Sequence, residues 1–309
     1  MIFILLCHFT QQSSNSYLNM LGQFFNIGVS MFIILSGFLF GTKRGQSCNM
    51  MQWMKRRILR IYIPYELFVI LLLIIHLIFR KNVWKWDWLW LILGMQGSIV
   101  GVQGAEQTWF ITSILLCYLA TPMLDVFCNK NKSTILIISG LLILTPAILA
   151  LIPAAFVYVI YAPICWYGLA YFVGDYFHKI QTSTKGACYA LLIMCVALLS
   201  RLIARVMIDG TLFYNRIVTE YTHVIAAFAL FYIVAFIAER TLCKYDMSKL
   251  SAISFEVYLY HYMFCVGPIR LFSVSENWVI NCCIVTLITL GISILMKIVG
   301  SGIERKLFK

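Results

Sequence analysis

The chain is a succession of apolar runs about as long as a membrane is thick, separated by short polar segments. A helix needs roughly 20 mostly apolar residues to cross roughly 30 Å of hydrocarbon. By that measure nine full spans are predicted, near 24–41, 61–79, 106–127, 134–152, 156–177, 187–205, 222–239, 251–272 and 278–299. The first residues, MIFILLCH, form a shorter apolar fragment that runs into the polar string TQQSSNS. Seven helical residues rise only about 10 Å, so this first helix reads as incomplete. The stretch from Trp84 to Val100 is apolar but short, and it opens on alternating Trp and Lys in the manner of an interfacial belt.

Composition agrees with the pattern. The chain is 62% hydrophobic and 12% charged, whereas soluble domains carry about 25% charged residues. A soluble core cannot absorb this much apolar surface. The formal charge of +12 then reports topology and anionic ligands, and nucleic acid is not the expected partner. If the N-terminal fragment counts as a span and Trp84–Val100 does not cross, 17 of the 24 Lys and Arg fall on one side and 7 on the other. If Trp84–Val100 crosses, the split is 10 against 14 with the excess outside. The positive-inside rule selects the first arrangement. The expected architecture is therefore all-α: a polytopic membrane helix bundle of about ten transmembrane helices, with both termini cytoplasmic, the first helix truncated, and Trp84–Val100 lying on or dipping into the outer face. No internal repeat, low-complexity segment or cleavable signal sequence stands out, so residues 1–309 read as one membrane-embedded domain. The eleven cysteines show no metal or redox spacing and fall mostly in apolar runs, where cysteine behaves as a small hydrophobe; no metal site is expected.

Three segments carry more than lipid-facing filler. His8 is ionisable at the outer end of the first apolar segment; imidazole there serves either as an interfacial group or as a general base. Phe25–Gly41, FNIGVSMFIILSGFLFG, sets the small residues Gly28, Ser30, Ser36 and Gly37 among large ones, which lets a helix or a ligand approach the backbone closely. Lys55-Arg56-Arg57-Ile58-Leu59-Arg60, followed by Tyr62, Pro64 and Tyr65, lies at the cytoplasmic mouth of a span. Arg57 and Arg60 share a helical face three residues apart and can present two planar guanidinium groups to one anion. The alternative is a plain stop signal obeying positive-inside. Glu106, at about the depth assigned to His8, is either a partner for that imidazole or an ordinary interfacial acid. Glu66 lies close enough along its helix to pair with Arg60. Tyr258 and His261, three apart on one face, line a cavity in this reading. Trp109 is expected to be wall rather than reagent, and His76 and His223 to be interfacial.

In order along the chain, the segment bearing His8, IGVSMFIILSGFLFG, RRILRIYIPY, TWFITSILLCYLATPML and SFEVYLYHYMF together resemble the acyltransferase-3 family of multispan membrane O-acyltransferases. The resemblance runs over nearly the whole chain. Its most specific parts are V-S-M-F-x-x-x-S-G-F at Val29–Phe38 and Arg57-x-x-Arg60 followed by Pro64. The stretch Ser254…Tyr258-Leu259-Tyr260-His261 is looser, and Tyr262 departs from a position that often leads into proline. The resemblance implies transfer of an acyl group, usually acetyl, from cytoplasmic acyl-CoA to a hydroxyl on a cell-envelope or secreted glycan or a lipid-linked sugar. It gives His8 the family's first-helix histidine role, and Arg57 and Arg60 its arginine-motif role of binding acyl-CoA phosphates. Ser36, Tyr258 and His261 fall in the substrate cavity, and the protein belongs in the bacterial plasma membrane.

One departure stands out. The family's first helix begins with an arginine about three turns before the histidine, and here that position precedes Met1. The expectation is a start at an internal methionine, or a member lacking that residue. The competing class is a transporter or flippase of an anionic or glycan substrate, but Gly- or Pro-broken helices in matching halves are not evident.

Overall fold

The computed structural model describes residues 1–44, 50–81, 83, 85–95, 101–152, 155–241 and 248–307, and every regular element among them is helical. In order these are α1 (Ile2–Gln11), α2 (Ser16–Phe25), α3 (Ile27–Thr42), α4 (Met50–Ile78), α5 (Trp86–Ile92), α6 (Trp109–Cys128), α7 (Lys132–Ala150), α8 (Ala155–Phe177), α9 (Thr184–Ile208), α10 (Thr219–Arg240), α11 (Ser248–Cys265) and α12 (Trp278–Leu307). Single 3-10 turns precede α6 and α12, and a π-helical turn, Phe213–Val218, leads into α10. Prolines 64, 122, 146 and 163 lie within α4, α6, α7 and α8, which continue through them.

Eight of these stretches are long and apolar enough to cross a membrane: Ser16–Thr42, Met51–Ile78, Glu106–Cys128, Lys132–Ala150, Val157–Phe177, Thr184–Ile208, Phe213–Arg240 and Trp278–Leu307. The ten expected from sequence also included α1 and α11. At ten residues, α1 rises about 15 Å, half a bilayer. α11 is interrupted by Lys249, Glu256 and His261, which lower its apolarity. Helix ends differ from expectation in two informative places. α4 starts at Met50 rather than near 61, so the basic segment is itself helical. α11 stops at Cys265 rather than 272, because Gly267 and Pro268 follow; Arg270, with φ 46°, then turns the chain. Trp84 and residues 96–100 lie outside the described residues; within the described residues 85–95 the helix is the seven-residue α5, too short to cross.

Apolar residues face outward in quantity. On α9 only Ala190 and Ala197 are buried, while Leu191, Ile193, Val196, Leu199, Leu202, Ile203 and Val206 are exposed. A surface of this kind is stable in lipid and a liability in water.

The chain forms two compact units, each discontinuous in sequence. One comprises Met1–Asn26, Asn49–Thr112 and Met247–Lys309; the other comprises Ile27–Cys48 and Ser113–Asp246. In the second unit α3 lies against α8 with almost no side chain between them. A Cβ on Gly37 would overlap the Tyr167 carbonyl, one on Gly41 the Tyr171 carbonyl, and one on Gly174 the Phe38 carbonyl. Gly37 and Gly41 are four apart, the small-xxx-small spacing that lets membrane helices meet backbone to backbone. The glycine of the S-G-F motif is thus architectural. Gly37→Leu is expected to destabilise the protein by at least the 1–3 kcal/mol typical of overpacking; an unchanged melting temperature in detergent contradicts this. At the end of α3, Arg44 binds Asp125 of α6 (2.8 Å) and Asp175 of α8 (3.0 Å), and also donates to Asn129. A residue counted in the sequence only as a topology charge therefore ties three helix ends together.

Candidate active site

In the first unit, α1 and α2 form a helical hairpin whose turn is closed by Asn15, its side-chain oxygen accepting from the backbone amides of Tyr17 (2.9 Å) and Leu18 (3.4 Å). The two helices approach at Gly22, where a Cβ would lie 3.1 Å from the Cys7 carbonyl. On the other side Trp278 donates from its indole nitrogen to the Phe9 carbonyl (2.9 Å), and the Phe9 and Phe272 rings meet at 5.4 Å. The residues flanking His8 are therefore fixed on two sides.

The His8 ring meets two aromatic rings of α11: His261 at 5.2 Å and Tyr262 at 4.6 Å, the latter edge-on. His8 Nδ1 is buried with no hydrogen-bond partner. His261 is fully buried, and its Nδ1 lies 2.7 Å from the Tyr258 carbonyl and 3.1 Å from the Val257 carbonyl. Carbonyl oxygens only accept, so Nδ1 carries a proton and donates. In the neutral ring the lone pair is then on Nε2, which is buried and also unpartnered. A donor or acceptor left unsatisfied in the interior costs about 1–3 kcal/mol. Two imidazole nitrogens in that condition on adjacent rings mark a place built for something other than packing.

Behind the histidines, the turn before α6 is locked onto α11. Tyr258 donates its hydroxyl to the Gln107 carbonyl, Gln107 Nε2 donates to the Leu259 carbonyl (2.9 Å), and Gln103 Nε2 donates to the Val266 carbonyl (2.9 Å). The Tyr258 hydroxyl thus ties α11 to the turn before α6. Glu106, at the start of this turn, accepts from the Gly104 amide at 2.8 Å. The rings against His8 are those of His261 and Tyr262.

The short helix α5 is held inside the same unit. His76 packs its ring on Trp88 (5.1 Å), Tyr62 donates to the Ile92 carbonyl (2.7 Å), Tyr65 donates to the Leu91 carbonyl, and Thr112 donates to the Gly94 carbonyl (2.8 Å). Three hydroxyls thus satisfy the carbonyls at the C-terminal end of α5, which lipid could not do. This is the condition for interrupted backbone at membrane depth. His76 and His223, expected at the interface, are both buried.

Arg57 and Arg60 lie on α4, half-buried and exposed respectively. The same end of this unit carries Lys249 at the start of α11, and Arg305 and Lys306 at the end of α12, because α4 packs on α12 where Gly300 faces Ile63 and Leu67. His8 and Trp278 lie toward the opposite end. Ser36 belongs to the second unit, half-buried on α3. Among the described residues no three His, Cys, Asp or Glu side chains cluster as metal ligands.

The sequence missed three parts of this site. Gln107 sits in a stretch whose apolarity hides its two backbone contacts. Tyr262 was noted only for departing from a family pattern. Glu256, buried on α11 and paired with Lys297 of α12 at 3.0 Å, was legible as a lone acid inside an apolar helix. No curated protein and no solved structure matches the chain. A family model described as an acyltransferase domain matches residues 1–298. That match, over nearly the whole of a multispan all-helical chain, shows that it belongs to the acyltransferase-3 family, as a membrane acyltransferase.

Proposed function

We propose that the protein moves a short acyl group, acetyl by preference, from cytoplasmic acyl-CoA to a hydroxyl of a cell-envelope or secreted glycan, working in the bacterial plasma membrane. The observation that carries this reading is the pair of buried, unpartnered ring nitrogens on His8 and His261, at the far end of a helical unit from the Arg57/Arg60 face. A sugar hydroxyl is a weak nucleophile and needs a base as it attacks. Coenzyme A is a phosphorylated anion made in the cell, and two arginines on one helical face suit its phosphates.

In this mechanism His8 takes the proton of the acceptor hydroxyl as its oxygen bonds to the thioester carbonyl carbon. The C–S bond then breaks, the acyl group stays on the acceptor oxygen, and the proton passes from His8 to the departing sulfur to give free CoA thiol. His261 keeps its Nε2 lone pair beside His8, because its Nδ1–H is held by backbone carbonyls, and it offers that lone pair to the His8 imidazolium that forms as the hydroxyl loses its proton. Glu106 holds the turn behind this pair through its contact with the Gly104 amide. Arg57 and Arg60 bind the donor's phosphates and take no part in the bond changes.

Arg57→Ala with Arg60→Ala is therefore expected to weaken acetyl-CoA binding at least tenfold, since hydrogen bonds to charged groups contribute about 1.5–3 kcal/mol each. Equilibrium binding to the protein in nanodiscs checks this. Unchanged affinity removes the arginine face from the donor site.

A further inference from the structure

Eight buried side-chain atoms in the described residues lack a hydrogen-bond partner, and five belong to α11 and α12: Glu256 Oε2, Tyr260 Oη, His261 Nε2, Thr289 Oγ1 and Ser293 Oγ. All five side chains are at least 99% buried. Spacing puts Glu256 with Tyr260 on one face of α11, and Thr289 with Ser293 and Lys297 on one face of α12, while His261 follows Tyr260 on the adjoining face toward His8. The Glu256–Lys297 contact fixes the antiparallel pairing of the two helices. One turn from Glu256 toward His261 is Tyr260, and the matching turns from Lys297 are Ser293 and then Thr289. From Glu256 to His261 this lane of polar groups rises about 7 Å. In the other direction α12 descends one turn to Gly300 beside Ile63 and Leu67 of α4, and Arg60 is about 10 Å below Leu67 along that helix.

The two hydroxyls of α12 are unusual for their surroundings. Serine and threonine in a membrane helix ordinarily donate to the carbonyl one turn back. On α12 itself Thr286 does so to Cys282 (2.7 Å), and Ser301 does so to Lys297 (2.7 Å). Thr289 and Ser293, which lie between them on the buried face, do not. Their donors are left unused in the interior, on the helix paired with one that buries a carboxylate oxygen and a phenol equally unused.

We propose that this lane binds the pantetheine arm of the acyl donor, so that the thioester is led from the Arg57/Arg60 end to His8 and His261; this rests on the acyl-CoA reading given above. The arm presents amide N–H groups and amide carbonyls in alternation. Glu256 Oε2 accepts from the former, while Thr289, Ser293 and Tyr260 donate to the latter. The lane is closed in this structure, and the arm enters as the side chains of α11 and α12 part.

Thr289→Val with Ser293→Ala tests it, because both changes keep shape while removing only unsatisfied hydroxyls, and so are expected to leave the melting temperature equal or higher. Binding is measured in nanodiscs with two probes: acetyl-CoA, and adenosine 3′,5′-bisphosphate, which has the phosphorylated head but no arm. The double variant is expected to lose roughly tenfold to thirtyfold in acetyl-CoA affinity, at about fivefold per hydrogen bond, with unchanged affinity for the bisphosphate. Equal acetyl-CoA affinity in variant and wild type overturns the lane, and so does an equal loss for both probes, which places the effect at the head. If the wild-type protein binds neither probe, the acyl-CoA reading itself fails, an outcome distinct from either of these.

Discussion

Replacing His8 with Gln is expected to lower acyl transfer by about two to four orders of magnitude, the range over which a positioned acid–base group contributes, while leaving folding and donor binding unchanged. Glutamine keeps a polar side chain of similar reach and removes only the ability to accept and return a proton. His8 Nδ1 makes no hydrogen bond in the folded protein, and a glutamine at this position keeps a polar group for the Gln11 side chain that hydrogen-bonds His8. His8 is held by its neighbours: Trp278 grips the Phe9 carbonyl, and Gly22 admits α2 against Cys7. Comparing transfer rates with acetyl-CoA affinity separates a lost base from a lost site. A rate within threefold of wild type removes His8 from the chemistry and shifts the base to His261.

The largest expected effect on stability comes from Lys297→Met. Glu256 is 1% exposed and its Oε1 is paired with Lys297 Nζ at 3.0 Å. Lys297 is 36% exposed, so its removal, which leaves the buried carboxylate uncompensated, falls at the lower end of the about 3–5 kcal/mol of a fully buried pair, still a large share of the 5–15 kcal/mol that keeps an ordinary domain folded. Adding Glu256→Gln to Lys297→Met is expected to restore most of the lost melting temperature, since a neutral amide in the same volume is far cheaper to bury than a carboxylate. A Lys297→Met protein that melts like wild type shows that the pair contributes little. A double variant no better than the single one places the cost in packing of the lysine stem.

Helices were largely legible in the sequence because the lipid solvent imposes a simple rule, and eight of the ten expected spans recur among the described residues as helices long and apolar enough to cross. Boundaries were less so. Apolarity alone starts the span near 61, yet the basic run from Lys55 to Arg60 is made of good helix formers and α4 begins at Met50. The glycines of Phe25–Gly41 were visible as a pattern without a partner. Only the fold shows that α8, far along the chain, is the surface they admit. For the site, His8, Glu106 and the arginine pair stood out as ionisable groups in or beside apolar runs. What sequence could not supply was adjacency. His261 lies more than 250 residues from His8 in the chain, and nothing in composition links the two rings. The polar lane is an intermediate case, because Thr289, Ser293 and Lys297 recur every four residues along α12 and mark one helical face by their spacing alone. Their unspent hydrogen bonds become visible only when the neighbours are known.

The most direct test of the central claim is the O-acetyl content of surface glycans in the native host, measured in a deletion strain complemented with wild-type protein or with His8→Gln. The account predicts that glycan reaches the surface in equal amounts in all strains, and that its O-acetylation is lost in the deletion, restored by the wild type and not restored by His8→Gln. Unchanged acetylation in the deletion strain, or glycan missing from the surface altogether as a flippase would leave it, contradicts the account.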